Sequence, residues 1–383
     1  MSRLIWLASV SGIAAVALLI AFRAPAAASD APSCTPSDSF IPAFCVNVPT
    51  SSVRRETTVP LVSLPSQRAD VRVEVSVPGS DAAALAAGVD RSVERIEALF
   101  GRPFSTRPRV LVFGSAPSFA NGAKDLFGYT PETANHVAST YGGIFDRGTL
   151  TIAVNWGAAG SSRMNAAIAH ELSHLMIHDI TGTSAIPAWL DEGLATVIEQ
   201  DAPGALIWNA DEELTGRAVA ASGAISLEQI ESVADFHTAY ARLDRPLYAF
   251  AADAVRTMRE RIGWDGVLSV LASVGRGQSF ADAYRVAAGE SVAALERRLR
   301  TSPPAMVVST VADADGNVSW TLYAGRVSSD VPVSISGDAG YIVTFTVRTD
   351  AFGIYRGSFG STATPGAYTV RGAGVAATLV TTR

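Results

Sequence analysis

Val71, Val73, Val75 and Val77 alternate with Arg72, Glu74 and Ser76 until Pro78-Gly79 ends the run. A period of two sends one face inward and the other to solvent, so this stretch predicts a half-buried strand. The period then changes. Leu85, Val89, Val93, Ile96 and Phe100 lie on one face at helical spacing, predicting a helix capped by Asp81 and closed by Gly101 and Pro103. RVLVF (Arg109 to Phe113) is a short apolar run of the buried-strand type, and an irregular loop follows it. YGGIFDRGTLTIAV (Tyr141 to Val154) predicts a hairpin turning at Asp146-Arg147-Gly148. Ser161 or Ser162 then caps a helix ending near Gly182, and from Pro187 to about Leu299 the pattern is almost all helical.

Pro303-Pro304 breaks that pattern, and beyond Ala305 the chain turns to Val, Thr, Ser and Gly in short runs. VSWTLY, VPVSIS, YIVTFTVRT, FGIYRGSF and YTVRG, separated by Gly, Asp and Pro turns, predict a small antiparallel sandwich of immunoglobulin-like type over 305–383. The stretch Asp313 to Asn317 has the look of a calcium loop but lacks the glutamate such a loop needs, and reads as a hairpin turn. The expected fold class is therefore α+β: a mixed domain over 70–302 with a helical second half, then an all-β domain. Pro49 to Gln67 is rich in Pro, Ser and Thr without sustained periodicity and reads as a linker or extended arm.

The N-terminus changes the compartment. Arg3 precedes an apolar run from Leu4 to Phe22, and Ala24-Pro25-Ala26-Ala27-Ala28 offers small-residue cleavage sites. Residues 1–28 are thus a cleaved signal peptide or an uncleaved signal anchor, long enough to span a bilayer; in both cases the remainder is exported. Membrane association is expected through this segment alone. Cys34 and Cys45, the only cysteines, lie in the arm 29–69 and would form a disulfide in an oxidising compartment. With 48% hydrophobic and 17% charged residues among 383, the chain can build a sizeable core. A net charge of −6 without a Lys/Arg run gives no footing for nucleic acid.

Three of the five histidines fall within HELSHLMIHD, His170 to Asp179. Residues four apart on a helix lie one turn above each other, so His170 and His174 can offer two nitrogens to one ion, with Glu171 beside it to hold a water. Ile168, Ala169, Leu172, Leu175, Met176 and Ile177 make this helix apolar and buried, and buried ionisable groups need partners. A hydrolytic zinc site also needs a third ligand and an open position. His178 lies two turns from His170, about 12 Å along the axis, too far to share an ion. Glu192 is the better candidate. PAWLDEGLATVIEQ (Pro187 to Gln200) follows a turn and can return as a second helix beside the first, with Gly193 allowing the two to approach closely around the ion.

HELSH followed by WLDEGLA resembles the gluzincin zinc peptidases of the thermolysin-like superfamily, and most of all an exported bacterial peptidase MA-like group. The resemblance covers about Asp70 to Arg300 and implies a small mixed sheet, an active-site helix and a helical half. It implies one catalytic Zn2+ held by His170, His174 and Glu192, with Glu171 as general base and a peptide or protein as substrate. It also implies that the strand Thr149 to Val154 is the edge that pairs with an extended substrate, and that a residue of the helical half stabilises the oxyanion. Tyr248 is the choice for that role, with Tyr240 and His237 behind it. The GxMEN segment of the aminopeptidase branch is missing from the hairpin, which leaves an endopeptidase as the default. The rival is a surface-binding protein whose zinc site is not catalytic. A structural site is normally closed by four protein ligands, and three can be named here.

Overall fold

The computed structural model describes residues 55–201, 209–243, 246–301, 303–308, 317–325, 328–337, 340, 342–360 and 366–381. The export segment, the Cys34–Cys45 pair, residues 313–316 of the expected hairpin turn and the side chains of Ser161 and Ser162 lie outside the described part. Among the described residues no helix is long and apolar enough to cross a membrane.

A five-stranded mixed sheet organises the first half. Its strands are β1 (Leu61–Leu64), β2 (Asp70–Glu74), β3 (Arg109–Phe113), β4 (Gly143–Asp146) and β5 (Thr151–Asn155), in the order β1-β2-β3-β5-β4. The pairs β2/β3 and β3/β5 are parallel, and the two outer pairs are antiparallel. In β3, Val110 and Val112 enter the large core while Leu111 and Phe113 enter a smaller one on the opposite face. That two-sided burial is why RVLVF is apolar throughout. The large core lies under α1 (Gly79–Phe100) and the helical half; the smaller lies under α2 (Ala116–Phe127) and α3 (Pro131–Thr140).

Several expectations in this region need correction. The region read as an irregular loop contains both α2 and α3. Ser115 accepts from Ser118 N at the first, and Thr130 accepts from Thr133 N at the second. β2 stops at Glu74, leaving Val75 65% exposed, and Asp81 sits in the first turn of α1 rather than at its cap. The hairpin edge is also reversed. β5 lies inside the sheet between β3 and β4, so the edge strand is Gly143–Asp146 and not Thr149 to Val154. In addition, Leu61–Leu64, inside the stretch read as linker, pair with β2 as an outer strand.

The arm ahead of β1 is tied to this body. Glu56 accepts from Arg109, buried at the start of β3, at 2.9 Å, and from Arg72 at 3.0 Å. Thr57 and Thr58 bond Asp125 of α2.

Helix α4 (Trp156–Thr181) breaks at Gly160 and ends at Gly182, close to the expected limits. The helical half follows as α5 (Ala188–Gln200), α6 (Asn209–Ser222), α7 (Val233–Leu243), α8 (Pro246–Gly275), α9 (Phe280–Ala288) and α10 (Val292–Leu299). Gly193 does permit a close approach, but to α8 rather than to α4. A Cβ there would lie 2.4 Å from the Ala251 carbonyl oxygen and 2.8 Å from Val255 Cγ2.

Seven strands follow among the described residues: β6 (Ala305–Val308), β7 (Asn317–Tyr323), β8 (Asp330–Gly337), β9 (Ile342–Arg348), β10 (Ile354–Gly360), β11 (Gly366–Gly372) and β12 (Val375–Thr381). They form antiparallel sheets β10-β7-β6 and β12-β11-β8-β9. Trp320 and Leu322 of one meet Val333, Ile335 and Val370 of the other in a shared core. The α+β architecture with a β-rich second part is as expected; β6 and β12 are additional to the five strands read from the pattern.

Gly193→Ala should force α5 from α8 and lower stability by about 1–3 kcal/mol, the usual range for overpacking, as measured by chemical denaturation. An unchanged midpoint would mean that the α5–α8 contact yields freely.

Candidate metal centre and active site

Helix α4 places His170 and His174 one turn apart on its buried face, and α5 brings Glu192 opposite them. Glu192 Oε2 lies 3.5 Å from His170 Nε2 and 3.7 Å from His174 Nε2. The three residues are buried and offer ligand atoms all within 4.8 Å of one another. These separations exceed a good hydrogen bond. They are close to the roughly 3.4 Å expected between donors each 2.0–2.1 Å from a tetrahedral ion.

The far side of each imidazole is held by a carboxylate. His170 Nδ1 lies 3.0 Å from Glu199 Oε2, and His174 Nδ1 lies 2.8 Å from Asp191 Oδ1. An ionised carboxylate only accepts, so Nδ1 donates in both rings, and each Nε2 faces Glu192. Arg147 donates to the other Asp191 oxygen at 2.9 Å. Asp191 and Glu199 were not singled out in the sequence. Glu199 stands two helical turns beyond Glu192, a spacing that could have drawn attention to it.

Charge balance supports a cation here. Burial alone would lower the His170 pKa, yet the neighbouring Glu192 and Glu199 carboxylates hold it well above its ordinary value. His174 is likewise raised against burial, by Asp191 and Glu192. Asp191 is depressed to about 2: burial pushes it up, and His174 and Arg147 outweigh that. Four carboxylates converge on two imidazoles and one guanidinium, and a dication would relieve that excess negative charge. The residues present fit a divalent metal ion.

Glu171 is 5% exposed, and its Oε2 is buried without a hydrogen-bond partner among the described residues. Burial raises its pKa to about 7, opposed by His170 and His174. It therefore sits near the point where a carboxyl both takes and gives a proton at neutral pH. Its place is set by β4. A Cβ on Gly143 would lie 2.8 Å from both Glu171 Cγ and Oε1, so the edge strand passes directly over the carboxylate.

A cavity of about 290 Å³ opens onto these groups, lined by Gly143, His170, Glu171, Tyr141, Tyr240 and Tyr248 among others. Tyr248, the expected oxyanion residue, packs its ring 6.3 Å from that of His170 and against Phe236 at 5.3 Å. Burial, with Glu192 nearby, raises its phenol well above the ordinary value, so it stays protonated and able to donate. Tyr240 lies 5.4 Å from Tyr248, ring to ring. His237 stands further off and shares a 3.1 Å hydrogen bond with Tyr141. Tyr141, just before the edge strand, is a cavity residue that sequence reasoning missed; it had been read only as part of a hairpin. His178, set aside as a ligand, packs against Phe145 with ring centroids 6.2 Å apart.

An α+β chain with a buried two-histidine, one-glutamate cluster beside an orphaned glutamate has the build of a metal-dependent hydrolase. Residues 118–304 match the model of the family described as the peptidase MA superfamily. That match bears out the expected resemblance to a gluzincin-type metallopeptidase family. The match starts in α2 and ends just ahead of the sandwich. No curated protein matches the chain.

Asp191→Asn and Glu199→Gln should each weaken divalent-metal affinity about 10–100-fold, measured by competition with a chromogenic chelator. Wild-type affinity in both variants would mean that neither carboxylate orients its imidazole.

Proposed function

We propose that this chain is an exported zinc endopeptidase. The observation that carries the reading is the convergence of His170, His174 and Glu192 beside the orphaned Glu171 carboxylate, with a cavity that reaches His170 and Glu171. His170, His174 and Glu192 would hold the zinc, which when bound polarises a carbonyl and makes a water more acidic. Glu171 accepts the proton of the attacking water and passes it to the leaving amine. Strand β4 pairs with the extended substrate backbone, main chain to main chain. The Tyr248 hydroxyl donates to the oxygen on which negative charge develops.

Export rests on Arg3, the apolar run Leu4–Phe22 and the small residues that follow. The reading of a surface-binding protein with a non-catalytic zinc site is less well supported. Among the described residues the cluster contains three ligand residues, not four, and a cavity reaches His170 and Glu171.

The exported portion should carry one zinc per chain and cleave casein or members of a peptide library. Glu171→Gln should keep the zinc and lose at least about 100-fold in kcat. Stoichiometric zinc with no cleavage by wild type would favour the binding reading, and absence of zinc would sink both. Tyr248→Phe should lower kcat by about 100-fold or more with little change in KM. Tyr141→Phe, which loses the bond to His237, should cost less than about tenfold; the reverse ranking would transfer the oxyanion role to Tyr141.

A further inference from the structure

Helix α6 carries two distinct faces. Asp211, Leu214, Thr215 and Ala218 follow i, i+3, i+4, i+7 spacing and meet the β-sandwich. Leu214 and Ala218 are buried in one cluster with Tyr323 and Ile354, and Val307 and Phe352 pack against it. Arg356 of β10 donates to Thr215 Oγ1 at 2.7 Å and lies 3.4 Å from Asp211 Oδ2.

Roughly 100° around the helix, Glu212, Gly216 and Val219 form the second face. It meets the catalytic half. A Cβ on Gly216 would lie 2.3 Å from the Ala249 carbonyl oxygen, so α6 is pressed onto α8. Glu212 lines the cavity that reaches His170 and Glu171, and accepts from Gln200 at 3.2 Å. Gln200 is the last residue of α5, the helix that bears Glu192 and Glu199. One helix thus touches the sandwich, the cavity and the end of the ligand-bearing helix.

We propose that the β-sandwich is a positioning element of the cavity: through Arg356 and the Tyr323–Ile354 surface it sets α6, and α6 sets the Glu212 wall. The sandwich is then part of what shapes the substrate site, in addition to any binding it does itself. Arg356 acts through Thr215 and Asp211 and touches no candidate metal ligand. Its loss should change how substrate fits rather than how the bond is broken.

The activity readout rests on the peptidase reading above; the exchange readout does not. Arg356→Ala, Thr215→Val and the double variant are compared with wild type in the full chain, with Thr215→Ser as the control that keeps an accepting hydroxyl. Each single variant should raise KM about three- to tenfold with kcat within about twofold, and the double should be no worse than the poorer single. Thr215→Ser should keep the wild-type KM, and zinc content should stay constant throughout. Amide exchange in 209–222 and at the end of α5 should quicken in Arg356→Ala. A lower melting temperature with unchanged KM, or effects that simply add, would overturn the proposal. If wild type cleaves nothing, the peptidase reading fails alone and exchange decides: quickening confined to the sandwich overturns the positioning role, and quickening that spreads to α6 and α5 supports it.

Discussion

Everything near the cavity depends on how Glu192 is held against two imidazoles away from water. A buried carboxylate left uncompensated costs several kcal/mol, so its place must be enforced by the elements around it. Two neighbours on α5 divide the work at His174: Asp191 takes Nδ1, and Glu192 faces Nε2. Glu199, two turns on, takes Nδ1 of His170. One stretch of α5 thereby orients both rings of α4, and small shifts of α5 would disturb all of these contacts together. The packing restrains such shifts. Gly193 lets α5 press on the Ala251 carbonyl, and Arg95 of α1 donates to the Ile198 and Asp201 carbonyls at the end of α5.

Much of this was legible in the sequence because periodicity and spacing carry it directly. The His170–His174 interval fixes a shared helical face, and the apolar residues around it fix burial. Glu192 was readable from a second helix able to return beside the first, and from the resemblance carried by HELSH and WLDEGLA. What the sequence left open is equally specific. Both hairpin strands are buried along their whole length, so neither shows an alternation that would tell edge from interior. Helices α2 and α3 are short, and their signals lie in the caps: Ser115 with Pro117 and Ser118, and Thr130 with Pro131 and Thr133. Such signals are easily missed when only apolar periodicity is followed. Tyr141 and His237 meet from residues 96 positions apart, a pairing that local pattern cannot supply.

The sandwich poses a different problem of reading. Its strands were visible, but its contact with the first domain was not, because α6 reads as an ordinary helix. Its polar face toward β10 comprises Asp211 and Thr215, which look like solvated positions until Arg356 is set beside them. The matched family region stops at residue 304, and the sandwich begins at Ala305. The family match alone would therefore describe a catalytic unit with one wall helix exposed. In this chain that helix is covered, and Leu214 and Ala218 are 2% and 0% exposed as a result.

The outermost place of β4 decides which chemistry the sheet edge can serve. Had Thr149 to Val154 been the edge, the strand offered to a substrate would have been separated from Glu171 by another strand. With β4 outermost, its first residue lies over the Glu171 side chain, and a Cβ there would meet the carboxylate. Glycine at 143 is thus the condition under which an outer strand and the buried Glu171 carboxylate can be adjacent. A peptide aligned on that edge would have its backbone brought to Glu171 by main-chain pairing, independent of its side chains. The same geometry places three lining tyrosines beside the cavity, Tyr141 from the sheet half and Tyr240 and Tyr248 from the helical half. The side chains that shape the cavity are therefore contributed by both halves, while the edge strand and Glu171 sit together where the sheet meets α4.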